Sequence, residues 1–358
     1  MKNIYKTLLV LLLSLSFIAC DDNSYDGETA LISPEIVSQS SINLSLEKIY
    51  KDVILKDINT TYEHSLLLVE SVKDLNETNT TQTLLAAQEA FKTLVLAYKS
   101  VESAYIAGRE SDAMRDIAEF NLEQFILNSK GDTLFTDLQK IFDGTGALYK
   151  NSHLGITALE YALFDRAVTT EVMLSKMNTI RLTSALTMAQ TISQNLLVVK
   201  NYYESESGFL QDNDTAMTLL LNQLVDNTYK LKEKRIGDAS GFTVKYQDNP
   251  DSTRLEYYKS VYSLEAIEAI LATHKKIMDN GLSEIAKLAN AESEASAIVE
   301  KLSEAIAICN TYPASLEAHV ASSQTQELYN TIVILQMNYT ALINGLNFKQ
   351  DLLEADGD

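Results

Sequence analysis

Residues 84–105 read LLAAQEAFKTLVLAYKSVESAY, and apolar side chains recur along them at alternating intervals of three and four positions. The positions are Leu84, Ala87, Phe91, Leu94, Tyr98, Val101 and Tyr105. Because an α-helix has 3.6 residues per turn, this spacing places these side chains on one face of a helix. The stretch therefore predicts an amphipathic helix within a bundle, and Asn79-Thr80-Thr81 before it is a suitable start signal.

Stretches with a similar helical period cover most of the remaining chain. They span residues 44–75, 113–127, 154–165, 174–206, 209–235, 254–280, 293–311 and 322–346. The chain contains only three prolines, and one short stretch, residues 241–246, has a strand-like composition. Together these features predict an all-α fold.

The predicted helices are too many for a single four-helix core. We therefore expect two packed helical-bundle lobes, an N-terminal bundle over residues 44–205 and a C-terminal bundle over residues 206–358. The break between them is expected near residues 203–208, where the sequence turns polar and contains a glycine. No sharp internal repeat is visible, and a diverged duplication stays open.

The beginning of the chain has the features of an export signal. Lys2 and Lys6 supply positive charge, residues 8–18 form an apolar run interrupted by two serines, and a cysteine follows Ala19. The run is shorter than a membrane-spanning helix requires. This arrangement predicts a lipoprotein signal peptide over residues 1–19, with Cys20 as the lipidated first residue of the mature chain; a plain signal peptide or a membrane anchor is the alternative.

Residues 20–43 begin with a polar, acidic segment without helical period, which predicts a tether. We accordingly expect a lipid-anchored protein of the bacterial cell envelope, facing the periplasm or the outside. The formal net charge of −20 argues against nucleic acid as a partner. Cys309 is the only cysteine besides Cys20 and lies in an apolar run, so we expect a buried thiol, no disulfide within the mature chain and no cysteine-based metal site.

The first candidate functional residues lie in residues 153–164, which read HLGITALEYALF. On a helix, His153, Thr157 and Glu160 share one face. Glu160 is surrounded by apolar residues, and a carboxylate on an apolar face needs a partner or a proton. Glu160 is therefore a candidate functional residue. The alternative is a structural glutamate satisfied by an arginine or a backbone N–H of a neighbouring helix.

The second candidate is Glu102, which lies on the packed stripe between Tyr98 and Tyr105. Two inward acids from different helices would supply oxygen ligands for a cation, so Glu160, Glu102 and His153 are candidate metal ligands. The same two acids would equally form a structural hydrogen-bond network. Spacing alone leaves both interpretations open.

Several common catalytic motifs do not occur in the sequence. It contains no His-Glu-x-x-His, no phosphate-binding loop and no dinucleotide fingerprint. The four histidines are scattered, with no pair at ligand spacing. The sequence therefore offers no standard helical zinc-peptidase site.

Residues 155–164 resemble the hallmark of the imelysin-like family, also called insulin-cleaving-peptidase-like proteins. That hallmark is Gly-x-His-x-x-Glu followed by a run such as Tyr-Leu-Leu-Phe. Gly155 and Glu160 match it, and Thr157 stands where the family's histidine would be. Residues 86–105, 234–237, 256–264 and 347–358 are similar to further family segments in the same order, so the resemblance covers about residues 44–358.

The resemblance implies two related helical bundles with a site between them, and an envelope protein tied to iron uptake. Thr157 offers only a neutral hydroxyl, which is a poor ligand for a transition metal. We therefore expect a non-enzymatic binding protein whose pocket is formed by Gly155, Thr157, Glu160 and Glu102 and takes iron or another divalent cation. The expected partners are the membrane, through a lipid on Cys20, and iron-transport proteins. A metallopeptidase of the same family and a non-catalytic interaction protein are the alternatives.

Overall fold

The computed structural model of the chain describes residues 34–123, 125 and 133–346. The predicted signal peptide, the lipidated Cys20 and residues 20–33 of the predicted tether lie outside these residues, so they stay predictions. No helix among the described residues combines the length and the apolar character that crossing a bilayer requires.

The described residues form an all-α fold, which confirms the predicted fold class, and contain no β-strand. Ten of their α-helices have eight residues or more. These are α1 (Pro34–Ile49), α2 (Lys56–Glu77), α3 (Thr81–Ser103), α4 (Leu134–Phe142), α5 (Ile156–Leu163), α6 (Thr179–Ser205), α7 (Asn213–Lys230), α8 (Ser263–Ile277), α9 (Glu292–Asn310) and α10 (Ser323–Gly345).

Several helices continue through wider π-helical turns. One such turn, Tyr50–Leu55, joins α1 to α2 without a break, and others follow α7 at Leu231–Gly237 and α8 at Met278–Leu282. Ile117–Glu123 forms another after the short helix Asp112–Asp116. Single π turns inside helices often occur at functional sites, and two of these four contribute side chains to the site described below.

Helix α3 begins where the sequence predicts. The Thr80 side chain accepts a hydrogen bond from the Thr83 backbone, and the Thr83 side chain accepts one from the Thr80 backbone. This reciprocal cap satisfies backbone N–H groups that have no partner within the helix. The predicted apolar face is buried, with Leu84, Phe91 and Leu94 entirely inaccessible to solvent.

The N-terminal bundle is built around α2, α3 and α6. Helix α2 packs against both α3 and α6, while the shorter α4 and α5 pack against α6 and against each other. The C-terminal bundle contains α7, α8, α9 and α10, in which α9 packs between α8 and α10 and α7 packs on α10. Helix α3 contacts α8 and α7, so it forms the main contact between the bundles.

Helix α1 departs from the predicted organisation. The predicted tether extends to residue 43, whereas the helix already begins at Pro34. It packs against α7 and residues 278–288, so it belongs to the C-terminal bundle although it precedes the N-terminal one. The cause is an apolar stripe of Ile42, Leu46 and Ile49, at i, i+4 and i+7, whose members are buried or half-buried.

Two further stretches differ from their predicted structure. The predicted helix over residues 254–280 starts only at Ser263, because residues 255–262 form a loop with two residues at positive φ. The strand-like residues 241–246 pair with no strand, and Val244–Tyr246 form a short 3₁₀ turn.

Gly281 tests the docking of α1 on the C-terminal bundle. A Cβ atom at Gly281 would lie 2.6 Å from the Ser45 carbonyl oxygen, and a backbone atom of a packed helix cannot move aside as a flexible side chain can. We expect Gly281→Ala to lower the free energy of unfolding by about 1–3 kcal/mol in urea denaturation. Gly208→Ala is the matched control, because its nearest contact would be 3.5 Å from the Gln211 side chain. Equal effects in both variants would contradict this packing.

Candidate functional site

Glu160 lies on the inward face of α5 and is only 3% exposed. Its Oε1 atom accepts hydrogen bonds from the backbone N–H of Ser260 at 2.8 Å and from the Ser260 hydroxyl at 2.7 Å. Ser260 is 100 positions away in the sequence and lies in the loop before α8 of the C-terminal bundle. Glu160 therefore links the two bundles directly.

The loop that carries Ser260, residues 255–262, is strained. Tyr257 and Val261 adopt φ values of 62° and 53°. For a bulky or β-branched residue this left-handed region costs on the order of 1–3 kcal/mol, so the surrounding contacts must hold it in place. The Ser263 hydroxyl donates to the Glu256 carbonyl and to Glu317, whose carboxylate also accepts the Ser263 N–H at 3.1 Å.

A cluster of five charged side chains lies next to this loop. We call Lys99, Glu102, Glu123, Arg235 and Glu256 the ion cluster. Arg235 Nε donates to Glu256 at 2.8 Å, and Arg235 Nη2 donates to Glu123 at 3.0 Å and also to Glu102. Lys99 Nζ donates to Glu102 and to Glu256, each at 2.6 Å.

The ion cluster contains three carboxylates and two cations, and all five side chains are largely shielded from water. Burial raises the pKa of Glu102, but Arg235 and Lys99 outweigh it and lower the pKa to about 2. For Glu123 burial and the charge of Glu102 prevail over Arg235 and raise the pKa to about 7. Glu123 therefore carries a proton in part of the population around neutral pH, which reduces the excess negative charge of the ion cluster.

The local structure explains how these residues meet. Glu123 and Arg235 lie in π-helical turns, Lys99 and Glu102 are three residues apart on α3, and Glu256 lies in the strained loop. Sequence reasoning identified Glu102 but assigned no role to the other four. An available signal was Lys99 on the packed stripe of α3, where a lysine is as costly to bury as an acid.

A cavity of about 260 Å³ opens beside Glu160 and Glu256. We call it the aromatic cavity. Thr157, Glu160 and Phe135 line it from the N-terminal side, and residues 253–259, Tyr246 and Asp238 line it from the C-terminal side. A cavity therefore lies between the two halves of the chain.

The predicted site residues are brought together only in part. Gly155 is buried as the N-cap of α5, and the Thr157 hydroxyl donates to the Glu123 carbonyl at 2.7 Å while lining the cavity. Glu102 belongs to the ion cluster and does not line the cavity. His153 is buried beside Asp137, 3.7 Å from its carboxylate, and against the Tyr149 ring, and none of these three lines the cavity.

These positions do not suit a metal bound by Glu160, Glu102 and His153. Both oxygens of Glu102 already accept hydrogen bonds from Arg235 or Lys99, and cations so close would repel a metal ion. No group of three or more histidine, cysteine, aspartate or glutamate side chains with the arrangement of a metal site occurs in the part of the chain that the structure describes. Glu102 is instead hydrogen-bonded to Lys99 and Arg235, and Glu160 is hydrogen-bonded to Ser260. Both acids therefore have structural hydrogen bonds, which was the alternative to metal binding.

Removing Arg235 tests the ion cluster. Arg235→Met leaves the three buried carboxylates of the cluster with Lys99 as the cluster's only cation, so we expect a loss of about 3–5 kcal/mol in the free energy of unfolding. Lys73→Met is the matched control, because it breaks only the exposed pair with Glu77 and should cost less than about 1 kcal/mol. Similar losses in urea denaturation of both variants would show that the cluster is not the buried network described here.

Glu160 also makes stability depend on pH. Burial raises its pKa from 4.5 to about 7, although the bonds from Ser260 act the other way. Between pH 4.5 and about pH 7 the folded chain keeps a proton on Glu160 that the unfolded chain releases. The stability that this proton provides is therefore present in acid and lost as the pH rises through about 7. We expect Glu160→Gln to be more stable than the original chain at pH 8 by about 1–3 kcal/mol, but not at pH 4.

Thermal unfolding across this pH range measures the effect. Glu63→Gln is the control, because Glu63 is exposed on α2 and its replacement should shift the melting temperature little at either pH. A constant difference between Glu160→Gln and the original chain at all pH values would refute a retained proton on Glu160.

Comparison with known proteins places this geometry in a family. The structure is similar to that of an imelysin-like protein from Psychrobacter arcticum 273-4, with 17% sequence identity and a TM-score of 0.68 over 87% of this chain and 98% of that one. It is also similar to an iron-regulated protein A precursor from Parabacteroides distasonis ATCC 8503, with 12% identity and a TM-score of 0.66 over 86% and 95% of the two chains. At these identities the similarity establishes the fold.

No curated protein matches the sequence of this chain significantly. The family model described as Imelysin (Peptidase_M75), in contrast, matches residues 60–340, which include most of both bundles and every member of the ion cluster. On the strength of that match, this chain belongs to the imelysin family.

Proposed function

We propose that this protein is a non-enzymatic binding protein of the bacterial envelope, anchored by a lipid on Cys20, that serves the uptake of iron or another metal. The observation that carries the proposal is the aromatic cavity between the two halves of the chain. Buried hydrogen bonds from Ser260 to Glu160 hold its walls together. Concave, largely apolar sites with a few placed polar groups are typical of ligand binding.

A binding role suits the residues at the cavity better than peptide hydrolysis. Thr157 replaces the hallmark histidine, and its hydroxyl is engaged by the Glu123 carbonyl. Glu102 is neutralised by cations, so a hydrolytic metal centre would lack ligands from either residue. Glu160 alone does not supply the three protein ligands of a hydrolytic zinc centre.

The link to metal uptake is supported by the family and by one structural neighbour. The protein from Parabacteroides distasonis is described as iron-regulated, and its fold matches this chain over most of both lengths. Because the inward acids do not form a metal site, we propose that the metal arrives as a complex with an organic ligand or is handed to transport proteins in the same membrane. The cavity would then recognise the organic part.

A deletion strain tests this role. We expect loss of the gene to reduce growth under iron limitation and the uptake of radioactive iron, with both restored by the original gene. Cys20→Ser should restore less, because an unlipidated chain is not retained at the membrane. Cys309→Ser is the matched control, because it makes the same substitution at the other cysteine, and we expect it to restore growth and iron uptake.

The same strain separates the alternatives. Unchanged iron uptake in the deletion strain, together with unchanged growth, would overturn the uptake role. Thr157→Trp obstructs the cavity. If iron uptake depends on the gene but this variant restores it fully, the result would favour the interaction-protein alternative over binding in the cavity.

A further inference from the structure

The volume of the aromatic cavity limits what it can hold. A dry cavity of about 150 Å³ accommodates a benzene ring. At about 260 Å³ the aromatic cavity has space for one ring with one or two small substituents. A folded polypeptide segment or a large multi-ring compound would not fit without movement of the walls.

The lining of the cavity favours a flat, apolar ligand. Aromatic side chains make up a large share of the walls: Phe125, Phe135, Tyr246, Tyr257 and Tyr258. Rings stack or pack edge-to-face with other rings at a gain of about 0.5–1.5 kcal/mol beyond their buried area. Tyr257 is held by the strained loop, so part of this surface is formed before any ligand arrives.

Most charges around the cavity are already balanced. Glu256 is paired with Lys99 and Arg235 within the ion cluster. Asp238 accepts a hydrogen bond from the Thr243 hydroxyl at 2.8 Å and lies 4.0 Å from the Lys234 ammonium. Neither acid is left to attract a cationic ligand.

Arg254 is balanced as well. It donates to the Asn249 carbonyl at 2.6 Å, lies 3.7 Å from the Asp251 carboxylate and covers the Tyr246 ring. Its hydrogen-bonding capacity is therefore largely used within residues 246–254, and it acts as part of the wall.

Lys259 is the exception among the charged lining residues. Its ammonium lies 5.8 Å from the centre of the Phe135 ring and 5.2 Å from that of Tyr161, and it forms no ion pair with any described residue. It also lines a second, more polar cavity of about 300 Å³. The carboxyls of Glu160 and Asp165 are near enough to interact with its charge, but neither lies within ion-pair distance. A half-buried cation without a direct ion pair attracts an anion.

Glu160 supplies a second unused polar atom. Its Oε1 accepts both bonds from Ser260, whereas Oε2 forms no hydrogen bond with any described residue although the side chain is 3% exposed. Because Glu160 lines the cavity, this oxygen is available to a polar group of a bound ligand. Because burial raises the Glu160 pKa to about 7, the carboxyl carries a proton in much of the population near neutrality and can donate it in a hydrogen bond.

We propose that the aromatic cavity binds a small single-ring aromatic carboxylate, with its carboxylate beside Lys259, its ring against the aromatic walls and a polar group at Glu160 Oε2. This inference rests on the proposed role of the cavity as a binding site and names the class of ligand. A cationic ring compound meets the like charge of Lys259 and, at Glu160, a carboxyl that carries a proton in much of the population near neutrality. An aliphatic acid forgoes the ring contacts.

Isothermal titration calorimetry of the full chain in a mild detergent tests the proposal at neutral pH. Benzoate is the probe, with neutral benzamide, cationic benzylamine and non-aromatic cyclohexanecarboxylate as its matched analogues. We expect benzoate to bind at least about tenfold more tightly than benzamide and benzylamine, because only benzoate pairs with Lys259. Cyclohexanecarboxylate should bind more weakly than benzoate by a few-fold.

Two lysine variants supply the control. Lys259→Met should abolish the preference for benzoate over benzamide. Lys92→Met removes the same charge from a lysine that also covers a tyrosine ring, Tyr262, but does not line the cavity, and should keep the preference. Circular dichroism establishes that both variants are folded.

Three results would overturn the proposal: benzylamine binding as tightly as benzoate, a preference for benzoate that survives in Lys259→Met, or no saturable benzoate binding up to about 10 mM. The proposed function is judged separately by iron uptake in the deletion strain. Failure of benzoate binding with intact dependence of uptake on the gene rejects only the ligand class. Benzoate binding without that dependence rejects only the uptake role.

Discussion

The need to neutralise buried charge governs how the two bundles meet. The ion cluster draws Lys99 and Glu102 from α3, Glu123 and Arg235 from π-helical turns, and Glu256 from the loop before α8. Each of these ions loses several kcal/mol of hydration inside the protein, and only the assembled set compensates for that loss. Lys99 alone cannot balance both Glu102 and Glu123 of the N-terminal lobe, and Arg235 of the C-terminal lobe reaches these two acids only when the lobes are docked.

The geometry of the cavity follows from that docking. Glu256 is held by Lys99 and Arg235, and its loop in turn presents Ser260 to Glu160. Two non-glycine residues of the loop adopt left-handed conformations that an isolated peptide would rarely populate. The surrounding hydrogen bonds stabilise this strained wall, so the cavity is preformed. A preformed site loses less conformational entropy on binding, which is consistent with a role in ligand recognition.

The replacement at the family hallmark has a structural counterpart. At Thr157 a hydroxyl reaches the Glu123 carbonyl and fixes the π-helical turn that supplies Glu123 to the ion cluster. The residue thus contributes to the architecture of the site through a backbone contact. Glu160 lies at the cavity wall, and its Oε2 forms no hydrogen bond with any residue that the structure describes. Charge balance and aromatic surface characterise the described residues of this interlobe site.

The sequence by itself determined the helical class, most helix positions, the start of α3 and the inward direction of Glu160, because these depend on local periodicity, capping and apolar neighbours. It also pointed to Glu102 but left open whether this acid serves a cation or a hydrogen-bond network. Only the tertiary structure decided that Glu102 meets Arg235 and that Glu160 meets Ser260, across 133 and 100 positions of sequence. Likewise the packing of α1 depends on helices far away in the sequence, and the loop at residues 255–262 depends on its contacts with the N-terminal bundle. Such partners are chosen by packing and by the cost of leaving charge unpaired, and neither is encoded within a short window of sequence.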